Sequence, residues 1–167
     1  MIQTFISIGS NIEREFHLRA AIAELKKLGS DFRLSQVFEA EPVGFQGPNF
    51  YNCVAAFDTH LPLDQLQRQL KQLELDYGRA PDAKKNQSRT LDLDILLYGD
   101  VQQSVSPVLP RTDLYKFAFA LWPMVELAPE LAIPGDTRTI RQLEQALQFE
   151  QALWPVEFVV EESHESL

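Results

Sequence analysis

The apolar residues of this chain change period as they run, and the order of those changes limits the fold. Over residues 2–8, Ile2, Thr4, Ile6 and Ile8 alternate with Gln3, Phe5 and Ser7, the two-residue period of a strand. Gly9-Ser10-Asn11 breaks that run. Leu18, Ala21, Ile22, Leu25 and Leu28 then recur at helical spacing, which predicts a helix over about 14–28 with Gly29 as its stop. Two strands follow, over about 32–40 and 51–59. Between them Glu41 to Asn49 holds two prolines and two glycines in nine residues, the composition of an irregular loop. A second helix starts near Pro62, with Leu63, Leu66, Leu70, Leu73 and Tyr77 as its buried stripe and Gly78 as its end. Residues 79–89 carry no apolar period and read as a loop, and 90–98 as a strand. Beyond Gly99-Asp100 the chain is punctuated by Pro107, Pro110, Pro123, Pro129 and Pro134, with short helices expected over about 117–127 and 140–147. The order β-α-β-β-α-β with a mostly helical C-terminal extension predicts an α+β, ferredoxin-like fold. One domain is expected over residues 1–160, with an acidic, disordered tail over 161–167. Such a fold by itself names no function.

Composition excludes several classes. Fifteen Lys and Arg against 24 Asp and Glu leave a net charge of −9, the opposite of the basic footprint of a nucleic-acid binder. Cys53 is the sole cysteine, so no internal disulfide forms, and it reads as a small core residue. His17, His60 and His164 are scattered and, with Cys53, lack the spacing of a structural zinc site. No apolar run approaches the roughly 20 residues that span a bilayer. The N-terminal residues lack the basic start and long apolar stretch of a signal peptide. A soluble, cytoplasmic monomer without nucleic-acid or membrane partners is the expectation.

The strongest chemical signal is Arg89-Thr90-Leu91-Asp92-Leu93-Asp94-Ile95-Leu96-Leu97-Tyr98. On a strand, Leu91, Leu93, Ile95 and Leu97 face a core, and Asp92 and Asp94 share the other face about 7 Å apart. Two neighbouring carboxylates fit magnesium, a hard cation bound by one or two carboxylates with phosphates and waters. An amphipathic strand with a solvated acidic face fits the spacing equally well. The preceding segment supplies Arg79, Lys84, Lys85 and Arg89 against Asp82 alone, the one concentrated basic stretch of an acidic chain. Basic side chains beside a carboxylate pair suit a triphosphate with its metal, although most charge runs are solvated loops. Phe50, Tyr51 and Asn52 follow the flexible 41–49 loop and could hold a flat heterocycle by stacking and edge hydrogen bonds, although aromatics at strand starts are usually core. Neither G-x-x-x-x-G-K-[ST] nor G-x-G-x-x-G occurs, so neither a P-loop nor a Rossmann site is supported.

Taken together, these segments resemble the 6-hydroxymethyl-7,8-dihydropterin pyrophosphokinase family of the folate pathway. The run from Arg89 to Gly99 resembles its signature. Ile8-Gly9-Ser10-Asn11 resembles its N-terminal motif, Phe50-Tyr51-Asn52-Cys53-Val54 its aromatic-x-Asn strand, and Glu74-Leu75-Asp76-Tyr77-Gly78-Arg79 the end of its second helix. The stretch from Phe119 to Pro129 resembles its C-terminal helix. The blocks occur in the family's order from about residue 2 to about residue 150.

The resemblance implies a ferredoxin-like core and transfer of pyrophosphate from ATP to the pterin's hydroxymethyl oxygen, with release of AMP. It implies two magnesium ions on Asp92 and Asp94, with Arg89 joining them as a catalytic residue. Nucleotide contacts fall on Lys71, Glu74, Arg79, Lys84, Lys85, Arg89, Arg111 and Thr112. For Glu74 a structural role as cap or ion-pair partner stands beside the nucleotide role. Pterin contacts fall on Ala40, Val43, Phe50, Asn52 and Phe119.

The chain departs from the family pattern at several of these positions. Asn86-Gln87-Ser88-Arg89 stands where the family has Trp-Gly-Pro-Arg, so a stacking surface is lost at Asn86. Pro110-Arg111 stands for Pro-His, and an arginine cannot donate a proton at neutral pH. Phe117 replaces an arginine, and Pro81 lies where many members carry another. Phe38-Glu39-Ala40-Glu41-Pro42-Val43-Gly44 stands for Tyr-x-Thr-x-Pro-x-Gly, with two hydroxyls lost. Three readings follow: an active pyrophosphokinase, a diverged paralogue acting on another pterin-like or alcohol substrate, and a non-catalytic ligand-binding module. Retention of Arg89, Asp92, Asp94 and Asn52 favours the first.

Overall fold

The computed structural model describes residues 1–79 and 87–160. The elements in chain order are β1 (Ile2–Ser10), α1 (Arg14–Lys26), β2 (Ser30–Leu34), β3 (Val37–Ala40), β4 (Phe50–Thr59), α2 (Leu63–Asp76), β5 (Asp92–Tyr98), α3 (Asp113–Lys116), α4 (Ala118–Leu127), α5 (Ile140–Ala146) and β6 (Leu153–Val156). They build one sheet in the order β5-β1-β4-β3-β6, with β2 also on β4. Every pairing is antiparallel. The expected α+β, β-α-β-β-α-β plan is present, and the C-terminal extension adds both helices and a sixth strand.

The expected strand over 32–40 is two strands with a break at Ser35-Gln36. There the Ser35 hydroxyl accepts from the Val54 N–H at 2.9 Å, and the Ser35 N–H donates to the Val54 carbonyl at 2.9 Å. A side chain thus stands in for one rung of the backbone ladder, and the chain bends between β2 and β3. The sequence pattern missed α3 and β6, each four residues long. Pro155 lies in β6, and proline is tolerated on an edge strand because its missing N–H can face away from the ladder. The expected tail over 161–167 lies outside the described residues.

Both faces of the sheet are covered. On one face Ile6, Ile8, Cys53, Ala55, Phe57, Leu93 and Ile95 meet Leu18, Ile22 and Leu25 of α1 and Leu66 and Leu70 of α2. On the other, Phe5, Val54, Ala56, Leu96 and Leu97 meet Leu121 and Met124 of α4 and Leu143 of α5. This corrects one expectation: Leu97 does not share a face with Leu91, Leu93 and Ile95. Phe5 pairs with Leu97 while Ile6 pairs with Ile95, so Leu96 is an extra residue in β5. A one-residue bulge reverses the parity of the strand beyond it. Burial of Cys53 pushes its thiol well above the ordinary range, as a core residue requires. Among the described residues, no helix is long and apolar enough to cross a membrane.

Gly29 follows α1 for a reason other than a left-handed turn. A Cβ built there would lie 2.1 Å from the Asp58 carbonyl oxygen. Backbone cannot yield as a flexible side chain can, so Gly29→Ala is expected to lower stability by about 1–3 kcal/mol in urea unfolding. An unchanged midpoint would show that the α1–β2 connection moves freely relative to β4.

Candidate active site

The sheet register brings together residues that lie far apart in sequence. Asp92 of β5 pairs with Gly9 of β1, Gly9 pairs with Asn52 of β4, and Asn52 pairs with Phe38 of β3. Residues directly opposite in neighbouring strands share a face. Asp92, Gly9 and Asn52 therefore form one row, and Asp94, Ser7 and Val54 the next. Val54 belongs to the cluster under α4, which assigns both rows to the α4 side. The carboxylate pair and the amide are thus on one face, as the alternation predicted for the two aspartates.

Gly9 is required by this row. A Cβ there would lie 2.8 Å from Asn52 Oδ1 and 3.7 Å from the Phe50 ring. The small residue between Asp92 and Asn52 leaves room for the amide.

Asp92 and Asp94 are half-buried, with side chains 40% and 25% exposed. Arg79 Nη1 lies 3.4 Å from Asp92 Oδ1 and 3.0 Å from Glu74 Oε2. Arg111 Nη2 lies 3.4 Å from Asp94 Oδ1, and Arg111 Nε donates to Asp113 Oδ2 at 3.0 Å. The bulge helps to place Arg111: its N–H donates to the carbonyl of Leu96, the extra residue, at 3.0 Å. Glu74 continues the buried stripe of Leu66 and Leu70 on α2, and its Oε2 accepts the Leu93 N–H at 2.8 Å. It caps the open edge of β5 between the two aspartates. Glu74 thus ties α2 to β5 and holds Arg79, contacts that fit its structural role.

The charges answer to burial and to one another. Burial raises the Glu74 carboxyl, the Leu93 N–H opposes this, and Asp92 adds to it. Burial, then the Asp92 charge, push Asp94 up to about 8, against the pull of Arg111. Burial would lower Arg111, but Asp94 and Asp113 outweigh it and hold the guanidinium above its usual value. Arg89 is buried and is lowered by that burial and by Arg79, while Asp92 and Glu74 pull the other way. Asn11 secures the approach to β5: its Oδ1 accepts the Arg89 N–H at 2.7 Å and its N–H donates to the Arg89 carbonyl at 3.0 Å. Its amide nitrogen donates to Pro48 O at 3.0 Å and Ser88 Oγ at 3.1 Å. Asn11 therefore pins the segments before β4 and β5 to the end of β1.

Lys71 is exposed on α2, one turn before Glu74, and Thr112 is exposed just ahead of α3. Lys84, Lys85 and Asn86 lie outside the described residues. On the aromatic side Phe50 meets Phe45 edge to face at 6.2 Å. Phe119, the second residue of α4, stacks on Phe117 at 5.1 Å with the planes 17° apart. Gln151 accepts the Phe119 N–H at 3.3 Å and donates to the Glu41 carbonyl at 3.3 Å, joining α4 to the 41–49 loop. Val43, Phe117 and Gln151 line a groove of about 500 Å³. Ala40 is fully buried opposite Phe50 and offers no surface to a ligand in this arrangement. Sequence reasoning passed over Asn11 as a contact, and over Asp113 and Gln151 altogether. A carboxylate two residues after Arg111 was a visible signal for Asp113, whereas Gln151 carried none.

The donor set fits magnesium. Asp92 and Asp94 offer hard oxygen ligands that are accessible, and two guanidinium groups already occupy the negative field they create. Among the described residues, no cluster of three or more His, Cys, Asp or Glu side chains is arranged to hold a metal. The remaining ligands would come from phosphate and water, the usual habit of magnesium.

Fold and site together define an α+β, ferredoxin-like protein with a carboxylate pair, the Asn52 amide and the Phe50 ring on one sheet face. Residues 5–129 match the family model for 7,8-dihydro-6-hydroxymethylpterin-pyrophosphokinase, and the chain belongs to that family. A Pseudomonas aeruginosa 2-amino-4-hydroxy-6-hydroxymethyldihydropteridine pyrophosphokinase is 37% identical over 157 residues, 90% of this chain and 95% of the relative. The Haemophilus influenzae protein of the same name is 32% identical over 81% of this chain and 88% of its own length. Among solved structures, the Plasmodium falciparum HPPK-DHPS wild type with SDX-DHP aligns with a TM-score of 0.64 at 13% identity, over 87% of this chain and 43% of that one. That likeness concerns the fold.

Asp94 generates a prediction about the metal-free protein. Its folded-state pKa of about 8 lies above the unfolded value near 4, so its stabilising contribution is complete below about pH 4 and is lost as pH rises through about 8. Asp94→Asn is expected to melt above wild type at pH 8, with the gap closing toward pH 4. A lower melting temperature at pH 8 would show instead that the Arg111–Asp94 pair is net stabilising.

Proposed function

We propose that this chain transfers pyrophosphate from ATP to the hydroxymethyl oxygen of 6-hydroxymethyl-7,8-dihydropterin, releasing AMP, as a step of folate biosynthesis. The observation that carries this reading is the shared row of Asp92, Gly9 and Asn52, which brings the carboxylate pair and the amide to one sheet face, as a site for both phosphate and pterin needs. The Pseudomonas aeruginosa relative, a 2-amino-4-hydroxy-6-hydroxymethyldihydropteridine pyrophosphokinase, is matched over 95% of its own length, which supports reading its activity across to this chain. The reading takes residues 1–160 as one domain acting as a cytoplasmic monomer on small-molecule substrates.

Magnesium, with two ions as the expected number, would be held by Asp92 and Asp94 and would supply charge neutralisation and alignment of the phosphate oxygens. Arg79 and Arg111 lie beside the carboxylates and are placed to turn to phosphate oxygens, where charge-assisted hydrogen bonds are strongest. Arg89 adds a buried positive charge at the head of the site, with Lys71, Lys84, Lys85 and Thr112 at its nucleotide side. Glu74 acts by keeping Arg79 and the β5 edge in place. Asn52 reads the polar edge of the pterin, and Phe50 and Phe119 flank its ring, with Val43 at the rim. Ala40 contributes by packing beside Phe50, its cross-strand partner. Enclosure of the reacting groups keeps water from intercepting the transferred group.

The test is AMP formation from ATP with magnesium, with and without the dihydropterin. Pterin-dependent AMP is expected from wild type, falling to background in Asp94→Ala. Folded wild type that forms no AMP above that background would overturn the reading.

The replacement of a cation by Phe117 is proposed to slow the enzyme on the nucleotide side while enlarging the aromatic wall, since Phe117 stacks on Phe119. One charge-assisted phosphate contact is worth about 1.5–3 kcal/mol. Phe117→Arg is therefore expected to lower KM for ATP by about ten- to a hundredfold and to raise KM for the pterin. Unchanged constants for both substrates would remove Phe117 from the site.

A further inference from the structure

The strand that carries Phe50 and Asn52 is gripped from its other face. Successive β4 residues alternate sides, so Tyr51 projects toward α1. Arg14, the first residue of α1, lies with its guanidinium carbon 3.8 Å from the centroid of the Tyr51 ring. The same guanidinium donates from Nη1 to the Asn49 carbonyl at 3.0 Å and lies 3.4 Å from Glu39 Oε2. The Asn49 amide donates to Glu39 Oε2 at 3.0 Å. Glu39 pairs directly with Tyr51 in the β3–β4 register, so both are on the α1 side.

Arg14 and Glu39 side chains are only 30% and 19% exposed, which sets this pair apart from a fully solvated ion pair. Tyr51 meets Phe158 edge-on at 5.9 Å, and Arg19 lies over Phe158 at 4.9 Å. The grip therefore joins α1, β3, β4 and the C-terminal segment at the point where the 41–49 loop enters β4.

We propose that Arg14 is a positioning residue for the dihydropterin site, an inference that rests on the function proposed above. By holding Asn49 and Tyr51, it sets where the 41–49 loop meets the sheet and so aims Phe50 and Asn52 on the opposite face. Arg14 touches neither substrate. A loop released from this grip spends less time in the competent arrangement, and apparent affinity falls by the same fraction. The nucleotide end of the row is built on β5 and α2. Among the described residues its hydrogen bonds reach the 41–49 loop only through Asn11, so it feels the loss of Arg14 less.

The experiment measures two dissociation constants for wild type, Arg14→Met and Arg14→Lys. One is for 6-hydroxymethyl-7,8-dihydropterin, by fluorescence titration with a non-hydrolysable ATP analogue and magnesium present. The other is for that analogue with magnesium alone. Arg14→Met is expected to weaken the pterin about tenfold and the analogue by less than about twofold. Arg14→Lys, which keeps the charge and loses the fork, recovers part of the loss. Equal pterin affinity in wild type and Arg14→Met overturns the inference and leaves the proposed function standing. Parallel weakening of both ligands with a fall in melting temperature also overturns it, by showing a general structural role. Wild type that binds no pterin overturns the function and the inference together. Should Arg14→Met not fold, Glu39→Gln removes the charge partner and is expected to show the same selective loss.

Discussion

Two carboxylates held side by side on an edge strand repel each other, and much of the surrounding structure answers that repulsion. Asp92 and Asp94 lie at the rim of the α4 face, with Glu74 and Asp113 adding negative charge nearby. Arg79 bridges Glu74 and Asp92, and Arg111 bridges Asp94 and Asp113. Each guanidinium serves two carboxylates, which the planar fork of arginine allows and a lysine ammonium does less well. Desolvation still prevails at Asp94 and holds its carboxyl above the usual carboxylate range. Such a concentration of partly buried like charge is a poor way to stabilise a fold and a good way to attract a cation.

The backbone around this pair is arranged to keep it there. Glu74 closes the Leu93 N–H that an edge strand would leave open, so a buried acid doubles as edge protection. The extra residue Leu96 turns the rest of β5 toward α4, and its carbonyl receives the Arg111 N–H. Asn11 joins the approach to β5 to the end of β1. The β4 strand that carries Phe50 and Asn52 is held in a comparable way from the α1 side, through Arg14, Glu39 and Tyr51. Regular elements carry Asp92, Asp94, Phe50 and Asn52, and further contacts brace those elements from behind the sheet, the arrangement that preorganised sites require.

Much of this was legible in the chain. Apolar periodicity placed β1, α1, β4, α2, β5, α4 and α5 to within a few residues, because each buries a face of its own and must repeat at its own period. It failed where a side chain or a single extra residue intervened. Ser35 replaces a backbone rung and splits one strand into two, and the bulge at Leu96 moves Leu97 to the other face. Short elements such as α3 and β6 are too brief for a period to show. At the site, Asp92, Asp94, Asn52 and Arg111 stood out by residue type and motif. Gln151 and Arg14 did not, since their roles come from partners far away in sequence.

The sequence by itself determined the class of sheet, the adjacency of the two aspartates and the family resemblance, because each rests on neighbours along the chain. Alternation puts Asp92 and Asp94 on one face whatever the rest of the protein does. Only the tertiary structure decided that this face is also the face of Asn52, that Gly9 stands between them, and that each arginine is shared by two acids. Those outcomes depend on strand register, and register follows from burying both faces of the sheet at once. Spacing in sequence carries no record of which strand will lie beside which, and at which residue.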